Sequence, residues 1–124
     1  GPAGDGRVAA VAQDDVAAAL HAVLLDPRPH RGTTYSLTGP EAITLTEAAE
    51  VMTRLTGRAI SFHEETLDEA YASRASYGAP AWQVDAWVST YTAIAAGEMS
   101  GVTDHVERLT GRRPMSLEQL LRPG

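Results

Sequence analysis

Arg7-Val8-Ala9-Ala10-Val11-Ala12 runs without a break into Gln13-Asp14-Asp15-Val16, and the change of period between the two halves decides the fold class. The first six residues, three of them β-branched or charged and three small, read as a short strand. Behind them Val16, Ala19, Leu20, Val23 and Leu24 recur at i, i+3, i+4, i+7 and i+8. That is one apolar stripe on a helix, capped by Asp14 or Asp15 and ended by Asp26-Pro27 with Pro29. A strand feeding a helix is the first half of an α/β unit.

The same alternation continues outward. Thr33 to Thr38 reads as a second strand, and Gly39-Pro40 turns the chain. Thr44-Leu45-Thr46-Glu47 fits a capping box, in which the hydroxyl takes a free N–H and the Glu side chain returns to the cap's own N–H. Leu45, Ala48, Ala49, Met52 and Leu55 line one face behind it, and Gly57 supplies a left-handed stop. Ala59 to His63 reads as a third strand. Thr66-Leu67-Asp68-Glu69 opens a helix to about Ser76, closed at Gly78. Pro80 suits the first turn of the longest helix, which carries Val84, Trp87, Val88, Tyr91 and Ile94 at helical spacing. Thr103 to Thr110, stopped by Gly111, and Ser116 to Leu121, opened by a Ser116-x-x-Gln119 box, finish the chain. The expectation is an α/β fold with a small, mostly parallel sheet of about three short strands, helical cover and a helical end. Its 124 residues suit one domain over 1–124.

Composition narrows the chemistry. Apolar residues make up 44%, but 21 of them are Ala, and Leu, Ile, Val and Phe together number 24, so periodicity rather than bulk argues for folding. There is no Cys, which removes disulfide scaffolds, thiolate zinc sites, iron–sulfur clusters and cysteine nucleophiles. All ten basic residues are Arg. Without Lys there is no Schiff base, no P-loop phosphate Lys and no Tyr-x-x-x-Lys pair. A formal charge of −6 argues against a nucleic-acid face. Val16 to Leu25 is too short and contains His21, so no membrane span is expected and a cytoplasmic location is the default. The opening Gly1-Pro2, without Met, reads either as a tag scar or as the cut edge of something longer.

Gly1-x-x-Gly4-x-Gly6 precedes its strand, whereas a dinucleotide-binding glycine loop follows one and opens a helix. It reads as a plain turn. His63-Glu64-Glu65 and Asp104-His105 place His beside carboxylates without the i, i+4 spacing of two ligands on one helical face, so no metal site is expected. No Gly-x-Ser-x-Gly elbow exists. Arg108, Arg112 and Arg113 cluster at a helix end, where they complement the dipole. Trp82, Trp87 and Tyr91 fall within ten residues, and Trp87 and Tyr91 share a face at i, i+4. Such a stripe packs a core or lines a pocket for a flat, apolar or aromatic ligand. Tyr71 and Tyr77 are secondary phenolic candidates, and His63, His105 and Tyr71 are the candidates for catalytic roles.

Gly4-Asp5-Gly6-Arg7-Val8, Asp14-Asp15-Val16-Ala17, Tyr35-Ser36-Leu37-Thr38-Gly39-Pro40, Leu45-Thr46-Glu47-Ala48-Ala49 and Thr103-Asp104-His105-Val106-Glu107-Arg108-Leu109-Thr110-Gly111-Arg112 together resemble the C-terminal portion of NmrA-like, atypical short-chain dehydrogenase/reductases. The group includes bacterial NAD(P)H-dependent quinone and azo-dye reductases and NAD(P)-binding regulators. The resemblance implies a last strand–helix crossover at 7–26 and a substrate lobe at 27–124, closing over a substrate beside an N-terminal Rossmann lobe or a homo-oligomer partner. It also implies that NAD(P)H is held outside this chain, which binds no cofactor of its own. Ala12 and Gln13 would then lie near the substrate cleft, with Trp82, Trp87 and Tyr91 on its outer wall. The glycine loop has no counterpart, so the chain is not expected to be redox-active alone. Two other readings stay open: a cofactor-free small-molecule binder or isomerase/cyclase using His63 or His105, and a regulatory or scaffolding module.

Overall fold

The computed structural model describes residues 1–123, which divide into two compact units, each built from two separate stretches of chain. One unit combines residues 1–8 with 43–100 and the other combines 9–42 with the segment from 101 onward.

In the first unit β1 (Arg7–Val8) pairs antiparallel with β2 (Ile43–Thr44), Arg7 opposite Thr44 and Val8 opposite Ile43. β2 leads directly into α2 (Leu45–Thr56), whose capping box forms as expected: Glu47 N–H donates to Thr44 Oγ1 and Thr44 N–H donates to Glu47 Oε2, both at 3.0 Å. Gly57 ends the helix at φ 70°. The Thr66–Glu69 box opens α3 (Leu67–Arg74), and a 3-10 turn, Ala75–Tyr77, carries the chain to Gly78 at φ 62°. α4 (Ala81–Ala95) follows Pro80, which takes the cap position itself. The core is made of small side chains: Ala3, Ala48, Ala49 and Ala70, with Val88 and Ile94 from α4. Gly6 lies so close to the Ile94 carbonyl that an added Cβ would collide with it.

The second unit packs α1 (Gln13–Leu25) against α5 (His105–Thr110), with α6 (Leu117–Leu121) closing the chain. Ala19 and Val106 are buried within it. Gly111 stops α5 at φ 75°, and the Ser116–Gln119 box opens α6.

Three expectations need correction. The sheet has two strands and is antiparallel, not three mostly parallel strands. Both other alternating stretches direct backbone groups to side chains: Ile60 N–H and carbonyl both bind the Thr53 hydroxyl at 2.9 Å, while Ser36 N–H donates to His105 Nδ1 at 2.9 Å and the Ser36 carbonyl accepts from Thr103 Oγ1. A residue whose polar groups are taken this way adds nothing to a ladder. Second, neither Asp14 nor Asp15 caps α1. The helix begins one residue after Ala12, so both acids fall inside its first turn, and Asp15 is fully buried. Third, the α1 stripe is only half covered, since Leu20 is 56% and Leu24 77% exposed. Among the described residues no helix is long and apolar enough to cross a membrane.

Candidate functional site

Within the first unit, the end of α3, the 3-10 turn behind it and one face of α4 border an open, apolar cleft of about 530 Å³ lined by Arg74, Tyr77, Trp87, Thr90 and Tyr91. Its volume lies in the range of small-molecule sites. Trp87, Thr90 and Tyr91 stand at i, i+3 and i+4 of α4 and so share a face. Tyr77 meets Trp87 edge to face, with ring centroids 5.9 Å apart and planes at 81°. Across the cleft the Arg74 guanidinium carbon sits 5.4 Å from the Tyr91 ring centroid, a cation–π distance.

Arg74 is fixed from behind. Its Nη1 donates to the Ala70 carbonyl at 2.8 Å and to Glu65 Oε2 and Ser73 Oγ at 3.2 Å each. Burial pushes the Glu65 carboxyl up, but hydrogen bonds from Ser73, the Gly1 nitrogen and Arg74 outweigh it and hold the group below its ordinary range. Tyr91 also lines a smaller cavity of about 280 Å³ with Met52, Phe62, His63 and Glu65.

Of the aromatic trio read from the sequence, Trp87 and Tyr91 meet in the cleft. Trp82 is 71% exposed and lines neither cavity. It lies five positions before Trp87, which is about 140° around the helix, off the shared face. Tyr77, a secondary phenolic candidate, and Arg74, which the sequence did not single out, stand there instead. Neither is on α4, so no single-helix periodicity could have found them.

The other candidates are dispersed. Tyr71 donates its phenolic proton to Asp85 Oδ1 at 2.9 Å, and this bond, with burial and the Asp85 charge, raises the phenol above its ordinary range. A phenol held protonated is a poor base. His63 is exposed at the mouth of the smaller cavity. His105, in the second unit, accepts at Nδ1 from Ser36 N–H and meets Tyr35 edge to face, with the Tyr35 hydroxyl 2.7 Å from His30 Nδ1. Ala12, buried, and Gln13, exposed, also belong to that second unit. The described residues contain no group of three His, Asp or Glu side chains able to hold a metal ion.

The first turns of α1, α2 and α3 are not built to hold pyrophosphate. Pyrophosphate needs free N–H groups at a glycine-rich helix start. Here α1 starts with Asp14 and Asp15, α2 carries Glu47 and α3 carries Asp68 and Glu69 in the first turn, all of like charge to the phosphates.

No family profile matches the chain. Individual proteins do. The oxidoreductase YesF of Bacillus subtilis is 34% identical over 94% of this chain, and the NAD(P)H azoreductase of Xenophilus azovorans is 31% identical over 90%. Among solved structures, the NADPH-dependent quinone oxidoreductase QOR2 of Escherichia coli superposes with a TM-score of 0.87 at 26% identity, covering 98% of this chain and 44% of its own; the same enzyme complexed with NADPH gives 0.86. The fold is therefore that of part of a Rossmann-type reductase. The chain is similar to part of these NAD(P)H-dependent reductases, and it spans about two-fifths of the length of the curated relatives it matches.

Proposed function

We propose that the chain is the substrate-binding lobe, the C-terminal portion, of an NAD(P)H-dependent oxidoreductase. A planar aromatic or apolar substrate occupies the cleft of Tyr77, Trp87 and Tyr91. The observation that carries the reading is the match along 94% of this chain to an oxidoreductase two-fifths of whose length it covers. The cleft supports it, because offset or edge-on aromatic rings favour a flat partner. So does α1, which exposes Leu20, Leu24 and Leu25, while the largest fully buried side chains are Val88, Val106 and Asp15. Large apolar side chains left on one helix while the core is filled by Ala and Val suit a second lobe packing there. Redox chemistry belongs to a cofactor held by that N-terminal Rossmann lobe. The chain's own part is to bind and orient.

The test is a titration of the purified chain with NADPH and, separately, with a quinone. The expected result is no NADPH binding in the micromolar range, quinone binding that perturbs Trp87, and loss of that binding in Trp87→Ala. A micromolar NADPH dissociation constant overturns the lobe reading.

A further inference from the structure

The cleft contains one charge, and its placement narrows the ligand. We infer that the cleft takes a planar aromatic compound bearing an oxyanion, such as an aryl carboxylate or sulfonate, with Arg74 binding the anionic group and Tyr77, Trp87 and Tyr91 the ring; this rests on the cleft being the substrate site proposed above.

Arg74 is the one ionisable residue with a permanent positive charge on a wall otherwise formed by Tyr77, Trp87, Thr90 and Tyr91. Its side chain is only 13% exposed. Nη1 makes all three of its protein hydrogen bonds, to Glu65, Ser73 and Ala70. Among the described residues nothing takes a hydrogen bond from its Nε or Nη2. Those are the two N–H-bearing atoms of one edge of a planar fork, the geometry that receives a carboxylate bidentately. The fork cannot turn freely, because Nη1 is anchored and the guanidinium lies over the Tyr91 ring. Glu65 sets the strength of the site: by compensating Arg74 through Nη1 it lets the residue be buried without a ligand, and it weakens the pull on an incoming anion.

The pair of probes is naphthalene-2-carboxylate and its uncharged analogue naphthalene-2-carboxamide, titrated into the 124-residue chain while the Trp87 indole N–H resonance is followed. Trp82→Phe identifies that resonance. The carboxylate is expected to bind about tenfold more tightly than the carboxamide, as charge-assisted bonds exceed neutral ones. Its affinity alone should fall as sodium chloride is added. Arg74→Gln should bring the carboxylate down to the level of the carboxamide, with Arg74→Lys between them. Because Arg74→Gln also takes one partner from Glu65, Glu65→Gln serves as a second variant with the opposite sign: it should tighten carboxylate binding and leave the carboxamide unchanged. Equal affinities for the two probes in the unsubstituted chain overturn the anion inference and leave the aromatic cleft standing. If neither probe moves the Trp87 resonance at millimolar concentration, the cleft reading falls with it.

Discussion

Asp15 Oδ2 accepts a hydrogen bond from Met115 N–H at 2.7 Å, tying the first turn of α1 to a residue one hundred positions later. The carboxylate is completely buried, its Oδ1 has no hydrogen bond, and Arg112 Nη2 stands 3.4 Å from that oxygen with its own side chain 57% exposed. The backbone bond is the sound contact and the ion pair the loose one. Asp15→Ala takes the acceptor from the part-buried Met115 N–H and should cost about 1–3 kcal/mol. Arg112→Ala should cost less than about 1 kcal/mol, as expected for an exposed partner. Urea unfolding of both variants checks the ranking; equal losses would mean that the ion pair carries the tie.

Glu47 gives the first unit an acid-sensitive joint. Its carboxyl is held below the ordinary 4.5 first by the Thr44 backbone N–H and then by Arg7, which reaches both oxygens at 3.0 and 3.1 Å. A carboxyl lowered on folding stabilises at every pH above its unfolded value, and that contribution disappears as pH falls through the folded one. The melting temperature of the unsubstituted chain should therefore drop toward that of Glu47→Gln on acidification below pH 4.5. A gap between the two that stays constant down to strongly acid pH contradicts this.

Tyr71 works in the opposite direction. Its phenol is raised above 10.0 by the Asp85 bond, so the contribution is present below that value and is lost as pH rises through the folded one. Ultraviolet difference titration should show one tyrosine ionising late, and Asp85→Asn should bring it down. Tyr71→Phe should leave binding in the cleft of Trp87 and Tyr91 unchanged, because Tyr71 does not line it.

Two glycines of the second unit separate close packing from open space. A Cβ on Gly39 would run into the Ala10 carbonyl oxygen, a backbone atom that cannot swing aside, whereas one on Gly101 meets nothing within 4 Å. Gly39→Ala should cost about 1–3 kcal/mol, the scale of overpacking. Gly101→Ala should fall within about 0.5 kcal/mol of the unsubstituted chain. Thermal melts of the pair distinguish them; a tolerated Gly39→Ala would show that residues 10 and 39 do not stay in contact.

The helices were legible because their signals are short. Thr44 with Glu47, Thr66 with Glu69 and Ser116 with Gln119 each complete their hydrogen bonds within three residues, and Gly57, Gly78 and Gly111 end their turns at positive φ. Strand pairing is not local in this sense. Nothing within residues 33–38 says that Ser36 N–H will meet His105, and nothing near Ile60 announces that a helix hydroxyl, Thr53, will take both its polar groups. Asp15 reads as a cap by proximity, while its partner lies near the far end of the chain. The cleft was half legible for the same reason: Trp87 and Tyr91 share a helix, and Arg74 and Tyr77 reach them from another element.

Each of the two units closes only when a late stretch of chain joins an early one. During synthesis α1 leaves the ribosome before β2, α2, α3 and α4 exist, and α5, against which it packs, is made after all of them. Until then α1 has no finished neighbour within its own unit, and the apolar face around Ala19 that is buried in the finished unit stays open to solvent and prone to aggregation. The order of the segments thus makes α1 the part of this protein with the longest wait and the greatest demand for a chaperone, and a slowed ribosome between α1 and α5 should lower soluble yield without altering the stability of what does fold.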